Sequence, residues 1–137
     1  MTLNQSIIDR TLATTYGERA YKIVEQLSDA GYDTWWVGGC VRDMLDGKVP
    51  KDIDICTAAT PSEIAIYFPK ALETVKALGS VRIPMSTDTF EVTTFREDDD
   101  KSDGRHPESI KYSTREKDAI RRDFTVNALY FNPISKE

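Results

Sequence analysis

The chain runs Asp52-Ile53-Asp54-Ile55-Cys56, an alternation with period two. Period two is the repeat of a β-strand, so the pattern predicts a strand with Ile53 and Ile55 on one face and Asp52, Asp54 and Cys56 on the other. The isoleucine face has to be covered and the aspartate face has to stay wet. Two carboxylates about 7 Å apart along one strand face repel each other unless a cation lies beside them. Hard divalent cations such as Mg²⁺ take oxygen ligands, use few protein groups, and complete their shell with water and phosphate. The pair therefore points to a seat for phosphoryl-transfer chemistry, with a solvated polar strand as the plainer alternative.

The segment just upstream asks for the same kind of ligand. Tyr32 to Val37 is rich in aromatic and β-branched residues and reads as a strand, bounded by Gly31 and by the pair Gly38-Gly39. A short helix over 41–45, carrying Arg42 and Asp43, is predicted to follow. Glycines at such a turn let a phosphate come close to the backbone, and Arg42 offers a planar fork for phosphate oxygens. The plainer reading is a tight turn with Arg42 paired to a surface acid. A third segment, Arg121-Arg122-Asp123-Phe124-Thr125-Val126-Asn127-Ala128-Leu129, combines an arginine pair, an aspartate and an asparagine, suited either to phosphate and sugar hydroxyls or to a salt-bridged surface helix.

The remaining elements alternate in type. Ala20, Ile23, Val24, Leu27 and Ala30 recur at helical spacing and stop at Gly31. Thr60-Pro61-Ser62-Glu63 has the N-cap, first-turn proline and third-position glutamate of a capping box, which predicts a helix to about Phe68. Short strands are expected over 75–77 and 81–83, and a longer one over 89–95 with Phe90, Val92 and Thr94 on one face and Glu91, Thr93 and Phe95 on the other. Residues 97–105 read as an acidic loop. Ser113-Thr114-Arg115-Glu116 opens a further helix running through Arg122. Helices and strands so intermixed predict an α/β or α+β domain. Trp35 and Trp36 should point to opposite strand faces as packing residues. Cys40 and Cys56 should be small buried side chains rather than metal ligands, because a thiolate is too soft for Mg²⁺. His106, the single histidine, falls in the loop.

Composition narrows the setting. In 137 residues, 18 Lys+Arg stand against 23 Asp+Glu, a net charge of −5, with 39% hydrophobic residues and two cysteines. This suits one globular domain and gives neither a disulfide framework nor a run of the roughly 20 apolar residues that a membrane helix needs. The expected location is cytoplasmic. An acidic chain is poorly made to hold nucleic acid by a basic surface of its own, but it can host metal ions between its carboxylates and an anionic substrate.

Taken together, Val37-Gly38-Gly39-Cys40-Val41-Arg42-Asp43, Lys51 through Thr57, Phe90-Glu91-Val92-Thr93-Thr94-Phe95-Arg96 and Arg121 through Leu129 closely resemble the head domain of class II tRNA nucleotidyltransferases, the CCA-adding enzymes, and of the related bacterial poly(A) polymerases. The resemblance extends from about residue 17 to residue 133, and Asp103-Gly104-Arg105-His106-Pro107 is similar to the family's flexible loop. It implies a polymerase-β-like nucleotidyltransferase fold, a small mixed β-sheet flanked by helices. It implies, too, that residues 1–137 are the catalytic head of a larger enzyme whose neck, body and tail regions grip the RNA. On the matching positions it makes Asp52 and Asp54 the metal-binding carboxylates and Glu91 the third acid. Gly38, Gly39, Arg42 and Asp43 match the phosphate-contacting turn, and Arg122, Asp123 and Asn127 match the residues that select and steady the nucleotide. Where the family has a His-Gly-Thr-like stretch, this chain reads Leu78-Gly79-Ser80-Val81. The activity implied is metal-dependent addition of CMP or AMP from CTP or ATP to the 3′ end of tRNA, with two Mg²⁺ ions and release of pyrophosphate. The alternatives are a poly(A) polymerase, a CC-adding or A-adding relative, or a non-catalytic nucleotide-binding module.

Overall fold

The computed structural model describes residues 3–73, 79–97, 111–112, 114–121 and 129–136. A helical hairpin opens the chain. Helix α1 (Gln5–Ala13) is capped by Asn4, whose side chain accepts the Ser6 N–H, and α2 (Thr15–Asp29) is capped by Thr14, whose hydroxyl accepts the Gly17 N–H. The predicted apolar stripe of α2 is buried: Ala20, Ile23, Val24 and Leu27 all face the core. Helix α1 has no counterpart among the sequence-based expectations. Its buried residues are Ile7, Ile8 and Thr11, too few and too close together to make a periodic signal.

Strand β1 (Thr34–Val37), helix α3 (Gly39–Leu45) and strand β2 (Asp54–Thr57) follow. Helix α3 begins two residues earlier than the sequence suggested, because Gly38, at φ 83°, turns the chain directly from the strand and its carbonyl accepts the Val41 and Arg42 N–H groups. Helix α4 (Pro61–Tyr67) carries the full predicted capping box. The Thr60 hydroxyl accepts the Glu63 N–H at 3.3 Å and the Glu63 carboxylate accepts the Thr60 N–H at 3.0 Å. Then come β3 (Leu72–Glu73), β4 (Ser80–Met85), β5 (Asp88–Thr94), β6 (Arg96–Glu97), β7 (Lys111–Tyr112), α5 (Arg115–Arg121) and β8 (Tyr130–Phe131). The strand expected over 75–77, the loop over 98–105 with His106, Ser113 and the stretch 122–128 lie outside the described residues.

Six strands form one mixed sheet in the order β3-β4-β5-β2-β1-β8. Its pairs are antiparallel except β2 with β5, which run parallel and bring Ile55 opposite Val92. One face is covered by helices α1 to α4. Its core holds Ile23, Leu27, Trp36, Ile53, Ile55, Phe90, Val92 and Phe131, with the Trp36 and Phe131 rings edge to face at 5.9 Å. The other face carries a small second cluster of Trp35, Val37, Cys56 and Phe95 with Tyr130. The two tryptophans thus lie on opposite faces as expected. Arg115 of α5 lies over the Trp35 ring at 4.3 Å, while Asp118 of the same helix is fully buried. Its carboxylate accepts the Arg96 N–H at 3.2 Å and the Tyr130 hydroxyl at 2.6 Å, tying helix, β6 and β8 together.

Candidate active site

The alternation around Asp52 is kept in the fold. Ile53 and Ile55 are buried in the main core, Asp52 and Asp54 are exposed, and Cys56 packs into the second cluster on the aspartate side. The regular strand starts only at Asp54, however, which pairs with Val37 of β1. Asp52 therefore stands ahead of the strand rather than within it. On the other side of β2, the Ile55–Val92 rung of the parallel pair sets Glu91 beside Asp54, both pointing away from the main core. All three acids line one open cleft of about 450 Å³, together with Tyr16, Ile53, Arg82 and Thr89.

The glycine turn adjoins this cleft through the sheet. Val37, the last residue of β1, is the register partner of Asp54, so Gly38 and Gly39 leave the strand at the rung where the carboxylate stands. A Cβ at Gly39 would meet open space, so the turn has a bare side that an anion can approach. Arg42 is exposed on α3 with no ion-pair partner among the described residues, and Asp43 is half-buried, its carbonyl accepting the Lys48 N–H. These four residues are near neighbours of the acids in the fold but do not line the cleft itself. Of the third motif, Arg121 closes α5, while Arg122, Asp123 and Asn127 lie outside the described residues. Leu78 of the divergent Leu78-Gly79-Ser80-Val81 stretch also lies outside them; Ser80 begins β4.

Tyr16 and Arg82 are cleft residues that no sequence pattern singles out. Tyr16 sits in the first turn of α2, its ring stacked on Phe90 at 4.6 Å and its hydroxyl accepting the Ile53 N–H at 3.0 Å. Burial pushes its phenol up from the ordinary value; the Ile53 N–H pulls the other way, and the carboxylates of Asp52, Asp54 and Asp88 add to the rise. The hydroxyl consequently stays protonated at neutral pH. Arg82 of β4 is the register partner of Glu91, a cation beside the third acid. Neither position belongs to a local motif, because each reaches the site through the tertiary fold.

The donor set suits a hard cation. Among the described residues, no three Asp, Glu, His or Cys side chains form a ready-made metal cage. Mg²⁺ does not require one, since it is held through one or two carboxylates plus substrate phosphates and water. The soft donors are withdrawn: Cys40 and Cys56 are buried thiols outside any disulfide. Burial pushes the Cys40 thiol up to about 12, against the opposing pull of the Asp54 N–H and the N–H groups at the start of α3.

The fold sets exposed acids at its parallel strand pair, beside a glycine turn into a short helix, and comparison with known proteins places this arrangement among nucleotidyltransferase head domains. Residues 34–137 match the Poly A polymerase head domain. The CCA-adding enzyme of Geobacillus kaustophilus is 43% identical over 113 residues, covering 82% of this chain and 28% of that one. Poly(A) polymerase I of Haemophilus influenzae is 40% identical over 131 residues, covering 86% and 28%. The crystal structure of the Bacillus stearothermophilus CCA-adding enzyme in complex with CTP superposes with a TM-score of 0.73 at 34% identity, over 88% of this chain and 29% of that one. The chain belongs to the poly A polymerase head-domain family, whose members are metal-dependent nucleotidyltransferases. It spans less than a third of the length of these relatives.

Proposed function

We propose that this chain is the catalytic head of a cytoplasmic RNA nucleotidyltransferase that adds CMP or AMP to the 3′ end of tRNA, using CTP or ATP. The observation that carries the reading is the cleft lined by Asp54 and Glu91 from two parallel strands and by Asp52 just ahead of the first of them. Asp52 and Asp54 would hold the metal, taken as two Mg²⁺ ions, and Glu91 adds a third oxygen donor on the same face. When bound, such ions supply charge neutralisation for the triphosphate and acidify the attacking hydroxyl.

The chain's own groups do the positioning. The open side of Gly39, the Gly38 turn and the Arg42 guanidinium receive the phosphates, with Asp43 behind them on the same short helix. Arg122, Asp123 and Asn127 steady the ribose. The RNA 3′-hydroxyl then forms a bond to the α-phosphorus as the α–β bridging bond breaks and pyrophosphate leaves. Alignment of the reactants contributes much of the acceleration in such a step, and the RNA grip belongs to regions beyond this head.

A poly(A) polymerase is the second reading, favoured by the Haemophilus influenzae relative; a CC-adding or A-adding enzyme uses the same site. The test is incorporation of labelled CTP or ATP into tRNA lacking its 3′ end, with Mg²⁺, by this chain and by a longer form of the protein. Asp52→Ala and Asp54→Ala are expected to bring incorporation to background while leaving thermal unfolding in place. Product length separates CCA completion from a long A tract. Normal turnover by either variant, or nucleotide affinity unchanged by chelator, refutes the site.

A further inference from the structure

We infer that Tyr16 is a positioning residue for the carboxylate seat: by accepting the Ile53 N–H, its hydroxyl sets where Asp52 stands relative to Asp54. The inference rests on the reading above, in which these two acids hold a divalent cation.

Asp54 needs no such help. It is the first residue of β2 and is held by its pairing with Val37. Asp52 lies beyond the end of that ladder, and the side chain of Ile53, buried in the core, still leaves the peptide joining Asp52 to Ile53 free to tilt. The 3.0 Å bond from the Ile53 N–H to the Tyr16 hydroxyl removes that freedom. Tyr16 is itself well anchored, in the first turn of a helix capped by Thr14 and with its ring on the fully buried Phe90, the residue before Glu91. One turn further along the same helix, Arg19 pairs with Asp88 at 2.6 Å, at the start of the strand that carries Glu91. The beginning of α2 thus grips both acid-bearing segments. A tyrosine that served only as packing would need its ring and not its hydroxyl. Here Tyr16 lines the cleft and its hydroxyl bonds the backbone between the two acids. Groups that orient metal-binding side chains without touching the metal are typically worth about 10- to 100-fold in metal affinity.

The test uses the 137-residue chain and Mn²⁺ alone, with free Mn²⁺ read by electron paramagnetic resonance well below the unfolding transition. Tyr16→Phe keeps the ring and is expected to raise the Mn²⁺ dissociation constant about 10- to 100-fold with little change in near-UV circular dichroism. Phe90→Leu keeps the hydroxyl while weakening the stack, and is expected to lower the melting temperature more than the Mn²⁺ affinity. Asp52→Asn monitors the seat itself and is expected to weaken Mn²⁺ binding strongly. Parent-like Mn²⁺ binding by Tyr16→Phe beside a weakened Asp52→Asn overturns the positioning role and leaves the seat standing. Equal losses in Tyr16→Phe and Phe90→Leu also overturn it, in favour of general packing. Parent-like binding by Asp52→Asn, or no Mn²⁺ binding by the parent chain, overturns the seat and the inference with it.

Discussion

Replacing Asp118 with alanine tests how the sheet's second face is held. The carboxylate is fully buried and accepts hydrogen bonds from groups on other elements, the Arg96 N–H and the Tyr130 hydroxyl. A hydrogen bond to a charged group contributes about 1.5–3 kcal/mol, and its removal leaves a donor without a partner. Losing both gives an expected destabilisation of about 3–5 kcal/mol, a large share of the 5–15 kcal/mol that ordinarily holds a domain. For a chain of this length, an unfolding entropy of about 2 cal/mol/K per residue converts that into a melting temperature lower by roughly 11–18 °C. Asp118→Asn should cost much less, about 1–2 kcal/mol, because the amide keeps one acceptor oxygen and the Tyr130 hydroxyl can turn to accept from the NH₂ group. Urea unfolding followed by tryptophan fluorescence is the assay, since Trp35 sits in the cluster beneath α5. An Asp118→Ala variant within 0.5 kcal/mol of the parent, or less affected than Asp118→Asn, refutes the assignment of Asp118 as the clamp.

Two further outcomes follow from the polar contacts. The Thr60 N–H, the Tyr32 hydroxyl and the Thr60 hydroxyl, in that order, hold the Glu63 carboxyl below its usual range, so Glu63 stabilises the fold above the ordinary carboxylate pKa and loses that contribution as pH falls through its depressed value. Glu63→Gln should flatten the acid limb of a stability profile as pH falls below the ordinary carboxylate range, and an unchanged limb would count against the link. Thiol labelling provides the other check: with Cys40 pushed up to about 12 and both cysteines buried, iodoacetamide at pH 8 should leave the native chain unmodified and label both residues only after denaturation. Rapid native labelling would refute the buried placement.

Much of the candidate site is legible in sequence because it rests on local rules. Period two separates the aspartates from the isoleucines, Gly38-Gly39 marks a strand-to-helix turn, and Thr60 to Glu63 writes its own cap; each is a short-range consequence of backbone geometry. Juxtaposition is another matter. That Asp54 faces Val37 on one side and stands by Glu91 on the other depends on sheet order, which no window of sequence contains. Tyr16 reaches Ile53 across the fold, and the choice of a tyrosine before a glycine on α2 has no local signature. Asp118 misleads for a similar reason: an acid in the first turn of a helix ordinarily faces solvent and favours the helix dipole, whereas here the same turn packs onto the sheet and the side chain is buried. Asp52 marks the boundary case, its alternation correctly read while the ladder ends two residues short of it.

The single parallel joint of the sheet also bears on how the chain comes to fold. Strands β4 and β5 are neighbours in sequence and close by a tight hairpin at Ser86, a cheap local event. Joining β5 to β2 requires a crossover through α4, β3 and β4, and the entropy of that long closure is spent before any contact repays it. Asp54 and Glu91 become neighbours only across that joint. The acids that repel one another thus meet only through a non-local pairing, and the site is assembled later than the local hairpin beside it.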